Sequence, residues 1–134
     1  MDASAAGNAI EVRAIDHVVL TVADVDRTTA WYRDVLGMSI ETFDDGRTAL
    51  RFGSQKLNLH VAGYEIEPHA GTPTPGSADI CLLLGGSIEA AVRHLRDAGV
   101  QVELGPDERA GATGPLRSIY VRDPDGNLLE LSAG

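Results

Sequence analysis

The chain has 134 residues, with 11 Lys and Arg against 20 Asp and Glu, for a formal charge of −9. That length builds one domain able to bury a core without cross-links, and one cysteine, Cys81, excludes an internal disulfide. No apolar run approaches the ~20 residues of a bilayer span, which argues against a membrane role, and surplus carboxylate repels phosphate backbones, which argues against nucleic acid. Metals and cationic ligands stay open. With a lone thiol and no apolar leader, the expected location is cytoplasmic.

In chain order, residues 1–13 are small and polar without a period, and are expected to be a flexible arm. Ile15 to Val22 is rich in β-branched residues and reads as a strand. Asp24 is placed to cap a helix whose apolar positions Val25, Thr29, Tyr32, Val35 and Leu36 recur at helical spacing until Gly37 stops it. Ser39 to Phe43, Thr48 to Phe52 and Lys56 to Val61 follow as strands separated by Asp/Gly and Gly/Ser turns. A Pro/Gly/Thr linker, 65–77, then divides the chain. Beyond it the order recurs: a strand from Ala78 to Leu84, a helix capped by Ser87 and ending at Gly99, then strands over Val100 to Leu104, Leu116 to Arg122 and Asn127 to Ser132.

A shift of 62 lays His17 on Asp79, Leu20 on Leu82, Gly37 on Gly99 and Glu41 on Glu103. Near the ends a shift of 70 lays Leu59 on Leu129 and His60 on Glu130, the extra residues falling in a predicted loop, Gly105 to Pro115. The expected fold is therefore α+β, one domain over 14–132 made of two tandem βαβββ modules, about 14–64 and 78–132, joined by that linker.

Alternate residues of a strand face opposite sides of a sheet. The rows Val18, Leu20, Val22 and Leu57, Leu59, Val61 belong under the first helix, which leaves His17, Asn58 and His60 on the other face. In the second module Ile80, Leu82, Leu84 and Leu129, Leu131 form the row under the helix, leaving Asp79, Cys81 and Glu130 opposite. Two imidazoles and two carboxylates on one kind of face suit a divalent metal, and two His with one carboxylate is the minimal set. His17, His60, Asp79 and Glu130 are the candidate metal ligands, with Glu130 and Asp79 also the candidate proton carriers. Arg51, Asn58, Ser118, Tyr120 and Arg122 are candidate substrate contacts. Cys81 reads as a buried, inert thiol, Trp31 and Tyr32 as core or dimer contacts, and His69 and His94 as solvated, His69 becoming a lid if the linker folds over the cup.

The opening IDHVVLTVADVDRTTAWYRDVLGM and the closing SIYVRDPDGNLLELS resemble the vicinal oxygen chelate superfamily, which includes glyoxalase I, extradiol dioxygenases and the fosfomycin- and bleomycin-resistance proteins. The middle, RFGSQKLNLH and PGSADICLLL, is similar to small glyoxalase-domain proteins and their virulence-associated bacterial relatives. The resemblance implies curved sheets forming a metal cup, a homodimer, and ligands on the first and last strands of each module. By position these are His17, His60, Asp79 and Glu130 around one divalent ion, Ni, Zn, Mn or Fe. It further implies a lyase or isomerase that chelates adjacent oxygens of a small-molecule substrate and stabilises an enediolate or oxyanion. An Fe(II)-dependent extradiol dioxygenase and a metal-free protein that sequesters a cationic drug are the alternatives.

Overall fold

Apolar alternation along the strands dictates what this chain buries. In the computed structural model, which describes residues 9–134, the elements run β1 (His17–Val22), α1 (Val25–Leu36), β2 (Ser39–Phe43), β3 (Arg47–Phe52), β4 (Gln55–Val61), β5 (Asp79–Leu83), α2 (Ile88–Asp97), β6 (Leu104–Gly111), β7 (Gly114–Arg122) and β8 (Leu128–Ala133). They form two four-stranded sheets of one topology, β1-β4-β3-β2 and β5-β8-β7-β6. In each, the first strand lies parallel to the last and the other pairs are antiparallel. This is the expected α+β fold of two βαβββ modules. Of the expected N-terminal arm, residues 1–8 lie outside the described residues, and 9–16 carry no regular element. No helix among the described residues is long and apolar enough to cross a membrane.

The helices start and stop where local chemistry demands. The Asp24 side chain accepts from the Arg27 amide at 3.0 Å and Ser87 from the Ala90 amide at 3.1 Å, each satisfying one of the amides that a helix leaves unpaired at its first turn. Leu20, Val22, Leu50, Leu57 and Leu59 from the first sheet meet Ile119, Val121, Leu129 and Leu131 from the second in one core, with Tyr32, Val35, Ile88 and Leu95 from the helices. The helix-side faces of both sheets thus share a single interior, and the two opposite faces turn away from it.

Two expectations fail in the second module. Residues 100–103 are not a strand, and the predicted loop from Gly105 is instead most of the β6–β7 hairpin. The reason is a bulge: the β6–β7 register slips between Leu104 and Asp107. Gly105 sits there at φ 100°, with the Ser118 carbonyl only 2.4 Å from where a Cβ would stand. Pro106, which has no amide to offer a ladder, falls in the bulge of an edge strand where none is required.

The repeat itself needs correction at its far end. His17 pairs with Lys56 and Val19 with Asn58, whereas Asp79 pairs with Leu128 and Cys81 with Glu130. Glu130 is therefore the counterpart of Asn58, two residues before His60, and His60 corresponds to Ser132. Both alignments keep every side chain on the same face because strand periodicity is two.

The modules are latched by one buried carboxylate. Asp123, 5 % exposed, accepts from the Tyr32 hydroxyl of α1 at 2.6 Å, from the amides of Asp125 and Asn127, both at 2.9 Å, and from the Asn127 side chain at 2.8 Å. Burial, followed by the nearby Asp123 charge, raises the pKa of the Tyr32 phenol and keeps it a donor. His94 is exposed, as expected, and its Nε2 on α2 also donates to the Val35 carbonyl at the end of α1, 2.8 Å away. Replacing Tyr32 with Phe strips a buried carboxylate of one donor and is expected to lower stability by about 1–3 kcal/mol in urea unfolding. An unchanged midpoint would show that the latch contributes nothing.

Candidate functional site

On the non-helix face of the first sheet, the ladder sets His17, Lys56, Arg51 and Ser39 on one rung and Val19, Asn58, Ala49 and Glu41 on the next. The rung beyond carries Thr21 and His60, with Arg47 and Phe43 alongside. His17 thus lies four residues along β1 from the residue opposite His60, about 13 Å at strand rise. The two imidazoles expected to share an ion are held apart. Asn58, not His60, is the diagonal neighbour of His17, and its buried Oδ1 has no hydrogen-bond partner.

His17 is itself oriented. Its Nδ1 meets the Asp16 carboxylate at 2.9 Å; this hydrogen bond, chiefly, lowers the pKa of Asp16. With Nδ1–H so engaged, the lone pair of Nε2 faces outward, as in histidines that bind metals through a carboxylate-supported ring. Asp16 was not anticipated from strand parity, although its adjacency to His17 was the available signal.

The second sheet presents oxygen. Ser118, fully buried, donates to Glu130 Oε2 at 2.8 Å and lies 2.6 Å from Ser132 Oγ. Cys81, expected to be buried, is exposed because its side of β5 faces away from the core, and its Sγ lies 3.3 Å from the same Ser132 hydroxyl. Glu130 is therefore anchored through one carboxylate oxygen, and the other is unengaged. Asp79 lies opposite Leu128 and diagonal to Glu130, exposed and without a side-chain hydrogen bond among the described residues. Tyr120 shares the rung of Glu130 and accepts from Arg109 Nε at 2.9 Å.

The substrate contacts expected from the sequence divide accordingly. Asn58, Ser118 and Tyr120 stand on these faces with the metal candidates. Arg51 is taken by Glu41 at 3.0 Å, bracing β3 to β2, and Arg122 grips Glu103 through Nε at 3.0 Å and Nη2 at 3.2 Å, tying β7 to the segment just before β6. Among the described residues no three His, Cys, Asp or Glu side chains of one chain gather where a metal ion would sit. Each face offers only part of a donor set. Those parts fit a hard divalent ion: one imidazole nitrogen and the amide oxygen on the first face, two carboxylates on the second, whose charge balances a dication.

His60 belongs to a separate hollow of about 430 Å³, lined by Val19, Thr21, Pro68, His69, Ala70 and Pro73 as well. The linker supplies one wall of it through Pro68 to Ala70 and Pro73, so the linker lies beside His60 and not over the His17 rung; the His69 ring is exposed and contacts the Ala70 carbonyl at 2.8 Å and Glu67 at 3.1 Å. His60 is 5 % exposed and its Nε2 has no partner.

A family model described as the Glyoxalase/Bleomycin resistance protein/Dioxygenase superfamily matches residues 14–131. A glyoxalase domain-containing protein, RDO1 of Mycosarcoma maydis, is 53% identical over 92% of this chain and 70% of its own length. Virulence protein STM3117 of Salmonella typhimurium is 52% identical over 88% of this chain and 82% of its own. The crystal structure of that protein superposes with a TM-score of 0.91, covering 92% of this chain and 98% of that one. More distantly, an ethylmalonyl-CoA/methylmalonyl-CoA epimerase of Cereibacter sphaeroides is 31% identical over 87% of this chain and 95% of its own.

Burial, and then the neighbouring Arg47 charge, lower the pKa of His60 below the ordinary imidazole value. The unfolded chain, titrating near pH 6.5, then binds a proton that the folded chain refuses. This contribution destabilises the fold progressively as pH falls from about 6.5 to the folded pKa, and is absent above. The His69 pKa is raised, chiefly by its hydrogen bond to the Ala70 carbonyl; its stabilisation is present at low pH and fades as pH rises. His60→Gln is expected to shallow the loss of urea stability between about pH 7 and 5, and His69→Gln to steepen it. Identical pH slopes for wild type and His60→Gln would rule out the cost of charging His60.

Proposed function

Because the chain belongs to the Glyoxalase/Bleomycin resistance protein/Dioxygenase superfamily, we propose that it is a divalent-metal-dependent lyase or isomerase of glyoxalase type. Its substrate is a small metabolite with adjacent oxygens. It acts as a homodimer in which the first-module face of one copy meets the second-module face of another. The observation that carries this reading is the state of Glu130: Ser118 fixes one carboxylate oxygen and leaves the other free, diagonal to an unengaged Asp79.

In this assignment His17, Asp79 and Glu130 hold the ion, and Asn58 offers its amide oxygen. His60 drops out of the ligand set because of its distance along the strand. The remaining set has one imidazole rather than two, which departs from the two-His-one-carboxylate arrangement of Fe(II) oxygenases and favours lyase or isomerase chemistry over dioxygenation. When bound, the metal supplies Lewis-acid stabilisation of charge developing on the adjacent oxygens.

The protein's own groups do the rest. Asp16 keeps His17 in one tautomer and Ser118 keeps Glu130 in one orientation, so neither pays for ordering during turnover. Asp79, which has no side-chain hydrogen bond among the described residues, is the ligand carboxylate best able to leave the ion, take a proton from carbon and return it. Tyr120, its phenol anchored by Arg109, lies beside Glu130 to position substrate. The relative called an epimerase carries a name that implies proton removal and return, which is the same class of step.

The test uses His17→Ala and Glu130→Gln. Each variant alone is expected to lose stoichiometric Mn or Ni, measured by elemental analysis and by the metal's effect on melting temperature. Unfolded together and refolded, they are expected to regain about a quarter of wild-type metal content, because half the dimers are mixed and each mixed dimer holds one intact site. Full metal content in both single variants overturns the metal reading, and no recovery on mixing overturns the two-copy site.

A further inference from the structure

In a chain with nine surplus negative charges, cations without carboxylate partners are conspicuous. Among the described residues, Arg47, Lys56 and Arg93 are the basic side chains that make no ion pair within 4.0 Å. Two of the three converge on one ring. The Arg47 guanidinium carbon lies 5.0 Å from the Phe43 centroid and the Lys56 ammonium 3.8 Å from it.

Cation–π contact positions a charge while leaving its hydrogens free. Two like charges beside one ring also repel, a cost that a bound anion between them would remove. The Arg47 Nε is buried and unpartnered. On the adjacent strand stands His60, only 5 % exposed, its Nε2 also buried and unpartnered, and the residue lines the 430 Å³ hollow. Buried polar atoms left without partners cost free energy unless something satisfies them. Of the carboxylates on the neighbouring segments, Glu41 is held by Arg51, Glu65 by the Gly63 amide and Glu67 by His69, while Asp44 and Asp45, in the exposed turn between Phe43 and Arg47, make no ion pair with either cation within 4.0 Å.

We propose that Arg47 and His60 form an oxyanion subsite, with the Lys56 ammonium brought towards it over the Phe43 ring from four residues along β4, and that it seats an anionic group of the substrate while the apolar walls Val19, Pro68, Ala70 and Pro73 of the adjoining hollow enclose a small hydrocarbon portion. This rests on the reading that the non-helix face of the first sheet binds substrate, and it narrows the substrate class to small acids. Carboxylate and phosphate share the required chemistry. The hollow lies within the 300–1,000 Å³ range of small-molecule sites.

The test is an NMR titration of the histidine ring resonances in the full-length, metal-free protein at constant ionic strength, with isobutyrate and with inorganic phosphate as probes. His60→Gln assigns the His60 signal. A saturable shift of His60 with one or both probes is expected, weakened about tenfold or more by Arg47→Gln, as suits the loss of a charged hydrogen bond, and largely kept in Arg47→Lys. Saturation by isobutyrate alone identifies a carboxylate substrate, and saturation by phosphate alone a phosphorylated one. No saturable shift with either probe at about 50 mM, or equal affinities in wild type and folded Arg47→Gln, overturns the subsite. Because no metal is present, the subsite stands or falls separately from the metal reading: anion binding alongside full metal content in His17→Ala and Glu130→Gln would overturn only the latter.

Discussion

Asp123 is the point on which the geometry of this molecule turns. A single buried carboxylate accepts two backbone amides and the Asn127 side chain from its own turn, and the Tyr32 hydroxyl from the other module. The first three contacts close the Asp123–Asn127 turn that leads β7 into β8, and β8 carries Glu130. The fourth fixes α1 against that hairpin. Neighbouring contacts follow from the same turn: Arg27 reaches Asp125 at 3.2 Å, and the linker passes so close at Gly76 that a Cβ there would stand 2.4 Å from the Asp125 carbonyl. Asn127 returns the favour to the start of β5, its Oδ1 accepting from the Ala78 amide at 2.8 Å. The entry to β5, with Asp79 next in line, and the approach to Glu130 are set by one small network.

Much of this was legible in the sequence because two periods carry it. Apolar residues at spacing two assigned the faces of β1, β4, β5 and β8, and Leu20, Val22, Leu57, Leu59, Ile80, Leu82, Leu84, Leu129 and Leu131 join the core as expected, whereas Val18, at the start of its row, stays 38 % exposed. Helical spacing bounded by Asp24 and Gly37 reproduced α1. What periodicity could not settle was register, since a slip of two residues preserves every face. That is why His60 was aligned with Glu130 when Asn58 holds that place. The β6 bulge was hidden for a related reason: Gly and Pro at 105 and 106 signal a loop, yet an edge strand tolerates both where its ladder is interrupted. Arg47 shares its face with Arg51 by the same parity, but its unpartnered Nε depends on burial, which parity does not report.

The two modules began from one plan and now differ in charge. The first sheet's open face carries Arg47, Arg51, Lys56, His17 and His60, with Glu41 the one carboxylate on its strands. The second carries Asp79, Glu130 and Asp107, with its arginines committed: Arg109 to Tyr120 and Asp107, and Arg122 to Glu103. Both faces expose apolar surface, including Val19 and Leu83, the latter 73 % exposed.

That asymmetry is the argument for the pairing of faces in the proposed dimer. Two copies of the first face would bring cation against cation, and two of the second carboxylate against carboxylate, each arrangement costing several kcal/mol of like-charge contact. Opposing the first face to the second pairs unlike charges, covers apolar surface and puts His17 and Asn58 across from Asp79 and Glu130. Within one chain this pairing is blocked, because the helix-side faces of both sheets are already spent on the common core. The second copy of the proposed dimer would satisfy charge, burial and donor count together. The core that makes one chain stable is thus also what leaves its proposed site half built.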